Sequence, residues 1–385
     1  MEYFFMVKFV NKGLKLDICP DGDMVRVLEQ NMGNHRFVWN NILARYNDLY
    51  RLFKTNNCPL NPTISNLNAI LKMLKQEYPF LRKGESTSQQ QVFRDLNKAF
   101  TKFFNKKAGY PRFKSKKNPV QSFRIQKNGG NIKITNKRIR LGKIGYVHYK
   151  TSKKYMKLLK ISKINNVTVK KENGKYYAIV NIKTTVEEFE KKGENIGIDL
   201  GLKNLKTLSN GQEIANLDLK KEEEQYPKIP KKIIQTKIHE QKLLKNLKKK
   251  YHKWINKRNN KIQNAYHQFS KYLVKNYDLI GMEDLNIKGM FKNKKWSNKM
   301  QKISLYKLIT MIKYKTDWYG KTLIQIDRFF PSSKKCHVCG HINHELTIDI
   351  REWTCPHCKT ELHRDINAAI NILNEAERIQ NTIKS

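Results

Sequence analysis

Four of the six cysteines fall in two C-x-x-C pairs, Cys336 with Cys339 and Cys355 with Cys358, separated by 15 residues. This is the spacing of a zinc ribbon. Each short pair folds into a tight knuckle that offers two thiolates to one ion, and two knuckles complete a tetrahedral four-thiolate site. A closed site leaves no position for water, so its zinc is structural. His337 and His357 lie inside the knuckles and are not needed as ligands. A redox dithiol is the competing reading, but such a motif comes once, beside a βαβ unit. The ribbon is expected to present Lys334, Lys335, Arg351, Trp353 and Lys359, a set suited to nucleic acid.

Three acids form a second constellation. Asp199 stands mid-strand in Ile196-Gly197-Ile198-Asp199-Leu200-Gly201, where a carboxylate is costly to bury unless it holds a cation or a partner. The glycines beside it predict a place where a substrate backbone can approach. Glu283 ends the apolar run Leu279-Ile280-Gly281-Met282. Asp365 opens a helix whose alanines, Ala368 and Ala369, permit close packing on a sheet. Each acid alone has an ordinary explanation: Asp365 as a helix N-cap, Glu283 as a surface residue. The order is more specific: Asp on a first strand, Glu on a later strand, Asp on a final helix. That is the pattern of an RNase H-like nuclease, in which three carboxylates at one sheet edge hold two Mg²⁺ ions ~4 Å apart. The ions activate water and stabilise the leaving oxygen.

The rest of the chain must position these groups and meet their substrate. Lys and Arg number 77 against 33 Asp and Glu, a formal charge of +44 over 385 residues. With 39% hydrophobic residues the chain is too apolar for a disordered polycation, so it is a folded protein with a very positive surface. Such a surface calls for a polyanion, and nucleic acid is the one expected. No apolar run approaches the ~20 residues of a membrane span. Glu2 stands where a signal peptide would be basic, so an intracellular, cytoplasmic location is expected. Cys19 and Cys58 stand alone, and the paired cysteines suit metal in a reducing compartment.

Hydrophobic spacing divides the chain. Residues 1–20 read as extended, and Asp21 opens a helical pattern that Asn61-Pro62 breaks. Further helices are predicted at about 63–76 and 88–106, the second with a core stripe of Val92, Phe93, Leu96, Phe100, Phe103 and Phe104. From Gly109 to about 190 the period changes to two, with turns at Gly129-Gly130 and Asn173-Gly174, which predicts a small antiparallel β-barrel. Residues 228–275 form a long basic helical region; from Lys228 to Lys261, both included, there are 13 Lys or Arg and one acid, Glu240. Its cations are either a solvated face or a contact for phosphates. Strands at Asp278–Leu285 and Thr322–Phe329, a helix at about 302–317 and a last helix at Asp365–Ile379 complete the pattern.

Taken together, these motifs resemble the TnpB or OrfB family of insertion sequences, relatives of type V CRISPR effectors. The residues that carry the resemblance are Gly197-Ile-Asp-Leu-Gly201, Ile280-Gly-Met-Glu-Asp-Leu285, Pro331-Ser-Ser-Lys334, the four cysteines and Arg364-Asp-Ile-Asn-Ala-Ala369. Upstream, Arg36-Phe-Val-Trp-Asn40, Ala99-Phe, Phe103-Phe104 and Tyr110-Pro-Arg-Phe-Lys114 also match. The resemblance implies an α+β multidomain fold. Residues 1–20 and 118–190 would form a wedge β-barrel and 21–117 a helical recognition insert. Residues 195–330 and 361–385 would form a RuvC-type nuclease domain of RNase H-like fold, with the zinc ribbon at 331–360. It implies Mg²⁺-dependent cleavage of double-stranded DNA beside a short motif, guided by an RNA from the transposon end, with Asp199, Glu283 and Asp365 as the catalytic, magnesium-holding acids. Gln90 falls where a contact to that motif is sought, and Lys248, Lys249, Lys250, Lys253 and Arg258 where the nucleic-acid backbone is sought. Two alternatives share the fold. A non-cleaving RNA-guided regulator should have lost an acid, and this chain keeps three. A transposase that joins strands itself also uses an acid triad, but a zinc ribbon between the second and third acids favours the first reading.

Overall fold

Alternating apolar residues in the first half of the chain become one seven-stranded sheet, and the second half builds a mixed five-stranded one. The structure, a computed structural model, describes residues 7–56, 64–201, 205–215, 217, 219, 224, 233, 241–286, 305–347 and 349–385. These fall into two units, Phe9–Thr184 and Thr185–Ser385 with Met1–Lys8. The Asn61-Pro62 break, Cys58, residues 1–6 and most of 216–240 lie outside the described residues.

In the first unit, β1 (Val7–Cys19) precedes helices α1 (Gly22–Asn56), α2 (Ile64–Glu77) and α3 (Ser86–Phe104). Then follow β2 (Val120–Gln126), β3 (Ile132–Ile134), β4 (Arg138–Leu141), β5 (Tyr146–Lys150), α4 (Lys153–Ile161), β6 (Lys163–Glu172) and β7 (Lys175–Glu187). The sheet runs β2-β6-β7-β1-β5-β4-β3. Asn173 and Gly174 both take positive φ, 50° and 74°, which matches the hairpin turn to the twist of β6 and β7. The predicted barrel is thus a half-barrel: among the described residues β2 and β3 are its edges. The reason is that helices fill the concave side. Leu28 and Met32 of α1 and Leu159 of α4 are buried against Leu16, Phe123, Ile125, Ile139 and Val180, so no closing strand is needed to cover that core.

The helical part has its own core. Val38, Trp39, Ile42 and Leu43 of α1 pack on Leu71 and Leu74 of α2 and on Val92, Phe93, Leu96 and Phe100 of α3. The predicted α3 stripe is core up to Phe100, while Phe104 is exposed. Asp21 caps α1, its carboxylate accepting from the amide of Met24 at 2.8 Å. The two upstream motifs form one clamp. Trp39 Nε1 donates to the carbonyl of Arg112 at 3.0 Å, and Asn40 both donates to the carbonyl and accepts from the amide of Lys114, at 3.0 and 2.7 Å. The Lys114 ammonium lies 4.0 Å from the centre of the Trp39 ring. These residues fix the chain's return to the sheet.

In the second unit, β8 (Asn195–Leu200), β9 (Leu205–Leu208) and β10 (Glu213–Ala215) form an antiparallel meander. Helix α5 (Gln241–Asn276), β11 (Leu279–Glu283), α6 (Leu305–Trp318) and β12 (Thr322–Ile326) follow. A two-stranded ribbon of β13 (Glu352–Thr354) and β14 (Glu361–His363) then leads into α7 (Arg364–Lys384). The sheet order is β10-β9-β8-β11-β12, with β11 parallel to both β8 and β12. Ile196, Ile198, Ile280 and Met282 bury one face against Tyr266, Phe269 and Leu273 of α5 and Leu308 and Ile312 of α6. The strand period of two then turns Gly197, Asp199, Gly281 and Glu283 to the other face, which α7 covers.

Gly197 and Gly281 are register partners on that face. A methyl group built at Gly197 would lie 2.0 Å from the carbonyl oxygen of Ala369, and one at Gly281 would lie 2.8 Å from Cβ of Ala376. The glycines therefore serve the close approach of α7, whose facing residues Ala369 and Ala376 are fully buried. The expectation that Gly197 admits a substrate backbone is corrected: its space is taken by the helix that delivers Asp365.

Candidate functional site

The α7 face brings the three acids to one end of the sheet. Met282 pairs with Ile198, so Glu283 and Asp199 follow side by side at the same end of parallel strands about 4.8 Å apart. Asp365 sits in the first turn of α7. The N-cap position belongs to His363, so Asp365 is not the cap; an acid in a first turn is still favoured by the helix dipole.

Electrostatics ties the three together. Asp199 keeps some accessible surface but is surrounded by protein on most sides. Burial, then the like charges of Glu283 and Asp365, push it up to about 7 against the opposing pull of Arg364 and Arg351. The other two acids have hydrogen-bond donors beside them, a neutral hydroxyl for Glu283 and a cation for Asp365. Ser332 Oγ donates to Glu283 at 2.5 Å, and the Arg351 guanidinium bonds both oxygens of Asp365, one of them at 2.6 Å. Arg351 is expected from the sequence among the ribbon's nucleic-acid contacts, but its charge is directed at Asp365. Nothing in the local sequence marks that pairing, because the two stand 14 positions apart. Ser332 is similar: it lies in the Pro331-Ser-Ser-Lys334 run that carries the resemblance, but nothing in that run points to Glu283.

A carboxylate raised this far makes a pH prediction. Its unfolded value is ~3.9, so Asp199 favours the folded state fully below pH ~4 and loses that contribution as pH rises through about 7. In divalent-free buffer the melting-temperature advantage of Asp199→Asn over the wild type should therefore grow between pH 5 and pH 8. An equal difference at both pH values contradicts the assigned burial and charge.

The four cysteines converge, with all sulfurs within 4.8 Å of one another. Cys336 and Cys358 lie 3.7 Å apart and Cys339 and Cys355 3.6 Å, against ~3.8 Å for the edge of a tetrahedron with Zn–S bonds of ~2.3 Å. Both knuckles share one backbone pattern. The amides of Gly340 and Lys359 donate to the carbonyls of Cys336 and Cys355, and the amides of Cys336 and Cys355 bond the carbonyls of His341 and Thr360. The turn needs positive φ after the second cysteine, which Gly340 supplies at 79° and Lys359 at 60°. The Thr360 hydroxyl and amide pull Cys358 down to about 6, while the crowded sulfurs push Cys339 up to about 12, so without an ion the cluster does not carry four thiolates at once. This donor set fits zinc. His337 is no ligand; its ring lies 3.0 Å from Oδ1 of Asn367. Trp353, expected at the surface, is instead buried with Leu346 and Leu362 in the ribbon's small core.

The residues expected to touch nucleic acid are spread over both units. Gln90 is exposed in a cleft of about 690 Å³ beside Lys72, Lys75, Arg94, Lys127 and Asn128. Lys248, Lys249, Lys250 and Lys253 are exposed on α5, whereas Arg258 is half-buried and feels Tyr266.

Three family descriptions match in chain order: a "Helix-turn-helix domain" of the OrfB type over residues 6–54, the OrfB "Probable transposase" over 150–294 and a "Cas12f1-like, TNB domain" over 306–372. The chain is 27% identical over 376 residues to a "Putative RNA-guided DNA endonuclease" of Streptomyces pristinaespiralis, covering 96% of this chain and 90% of the relative. A protein of Escherichia coli (strain K12), "Putative RNA-guided DNA endonuclease InsQ", is 26% identical over 94% of this chain and 91% of its own. These matches, taken along the chain, point to the TnpB (OrfB) family. The fold of this chain is also that of a chain in "Cryo-EM structure of the Cas12f1-sgRNA-target DNA complex", with TM-score 0.53 at 14% identity, covering 95% of this chain and 99% of that one. One family description departs from what this chain shows: residues 7–54 hold β1 and part of a single 35-residue helix, not two helices joined by a turn. No described helix is long and apolar enough to cross a membrane.

Proposed function

We propose that this protein is an RNA-guided, divalent-metal-dependent DNA endonuclease of the TnpB family, encoded by an insertion sequence. The observation that carries the reading is the convergence of Asp199, Glu283 and Asp365 at one end of the sheet, where burial and the charges of the other two acids raise Asp199. The relatives' names agree with it. The acids' hard oxygen donors suit Mg²⁺, and two such ions supply an activated water and stabilisation of the leaving oxygen. The chain's own residues prepare the site: Ser332 orients Glu283, Arg351 holds Asp365 in place, and Gly197 and Gly281 set α7 against the sheet.

Strand order with an antiparallel β8-β9-β10 and parallel β11 and β12 supports a RuvC-type, RNase H-like domain over 195–330 and 361–385, with the ribbon at 331–360 as its insertion. The half-barrel is the wedge (1–20 and 118–190) and α1–α3 the recognition insert (21–117). The cleft at Gln90, with polar amides and four cations, is the place where a short DNA motif is read. Lys248, Lys249, Lys250 and Lys253 contact backbone phosphates of the guide or its heteroduplex. The guide is RNA from the transposon end.

RNA should copurify with the protein. Binding of that RNA and of an unrelated RNA of equal length, measured across a salt series, tests the partner. With +44 charges, both affinities should fall by orders of magnitude between low and moderate salt, and the copurified RNA should retain more because shape contacts are less screened. Superimposed curves would mark a nonspecific polycation and remove the guide from the account.

A further inference from the structure

Two asparagines on α7 face the ribbon instead of the sheet. Asn367 is 1% exposed and Asn371 2%. Asn367 Nδ2 donates to the carbonyl of Lys335 at 2.8 Å, while its Oδ1 accepts from the amide of His337 at 3.0 Å. One side chain thus grips the backbone on both sides of the zinc ligand Cys336. Asn371, one turn on, donates to the carbonyls of Ser332 and Lys335 at 2.9 and 2.5 Å. Ser332 is the residue whose hydroxyl bonds Glu283, and Asn367 lies two residues after Asp365. A carboxamide offers a donor and an acceptor at fixed separation, so it can satisfy a carbonyl and an amide together, which neither Asp nor Ala can. Buried polar pairs of this kind hold one arrangement firmly because the alternatives leave backbone groups without partners.

We propose that Asn367, supported by Asn371, is a positioning residue that couples the zinc knuckle to the acid site. Zinc fixes the backbone around Cys336, the asparagines transmit that position to the first turns of α7 and to Ser332, and these set Asp365 and Glu283. The inference rests on the reading that the acids hold a divalent cation. Coupling between two sites is reciprocal: if zinc aids the cation, the cation tightens zinc by the same factor.

The test uses the full chain with its copurified RNA. Zinc affinity is measured by competition with a chromogenic chelator, without Mg²⁺ and with saturating Mg²⁺. In the wild type Mg²⁺ should tighten zinc by about 5-fold or more, within the usual range of site-to-site coupling. Asn367→Ala should bring that factor close to one, and the Mg²⁺ concentration that half-saturates cleavage should rise by the lost factor. Asn371→Ala should reduce the factor less, and it carries the test should Asn367→Ala fail to fold. A merely structural role would weaken zinc equally with and without Mg²⁺, and that result overturns the proposal, as does a wild-type factor of one. Asp199→Ala serves as reference. If it abolishes cleavage while the Asn367→Ala factor stays at the wild-type value, the coupling alone fails. If Asp199→Ala leaves cleavage intact, the acid-site reading fails and takes the coupling with it.

Discussion

Asp199→Ala should lower cleavage of guide-matched DNA by roughly four orders of magnitude or more while leaving RNA and DNA binding nearly unchanged. The side chain sits near the end of β8 beside Glu283, on the face that α7 covers, and burial together with the neighbouring acids raises it. Removing it relieves repulsion among the carboxylates, so the variant should fold at least as well as the wild type. Glu283→Ala and Asp365→Ala should each cost a similar factor, and the double variants little more, because one missing ligand already disables a shared metal site. Independent contributions would instead multiply. Single-turnover rates with matched DNA, together with binding measured in the presence of EDTA, separate lost chemistry from lost affinity. A variant at any of the three positions that cuts at near wild-type rate does not belong to the site.

Replacing Cys336 and Cys339 by serine has the second-largest expected effect. The ribbon's apolar core consists of the buried residues Cys336, Leu346, Trp353, Cys355 and Leu362, too small a cluster to fold without a cross-link. A structural zinc site of this type supplies ~10–16 kcal/mol of apparent binding free energy, and two ligands cannot hold it. The wild type should carry about one zinc per chain by atomic absorption. The double variant should carry none and should lose ordered ribbon structure. Cleavage should fall with it, since Arg351 reaches Asp365 from the ribbon and Ser332 precedes its first knuckle. A zinc-free protein with full activity would remove the structural role assigned to the metal.

The chemistry-bearing residues are the most legible part of the sequence. Cysteine spacing specifies a ribbon because two short knuckles are the way four thiolates reach one ion, and the structure closes all four sulfurs to within 4.8 Å. The acids are legible because a carboxylate within an apolar strand needs a reason. The strand alternation from Phe123 to Ile182 and the apolar stripe of α3 are equally plain. Three features are not. A half-barrel and a closed barrel share the same period-two pattern, and only the burial of Leu28, Met32 and Leu159 on the concave side distinguishes them. The role of Gly197 is hidden because a missing side chain marks close approach without saying by what; the answer, α7, lies about 170 residues downstream and enters only through tertiary packing. Arg351 and Trp353 read as surface residues, yet one neutralises Asp365 and the other fills the ribbon core. Long-range pairing of this kind leaves no trace in local spacing.

The central claim is that these three acids form one divalent-metal site that cuts DNA chosen by a bound RNA. It is tested most directly by sequencing the copurified RNA, building duplex DNA that matches it, and following cleavage by the wild type and by Asp365→Ala in Mg²⁺ and in EDTA. The wild type should cleave matched DNA in Mg²⁺, and no cleavage should appear in EDTA, with Asp365→Ala, or on unmatched DNA. Cleavage that persists in EDTA or in Asp365→Ala, or that ignores the RNA sequence, would contradict the central claim.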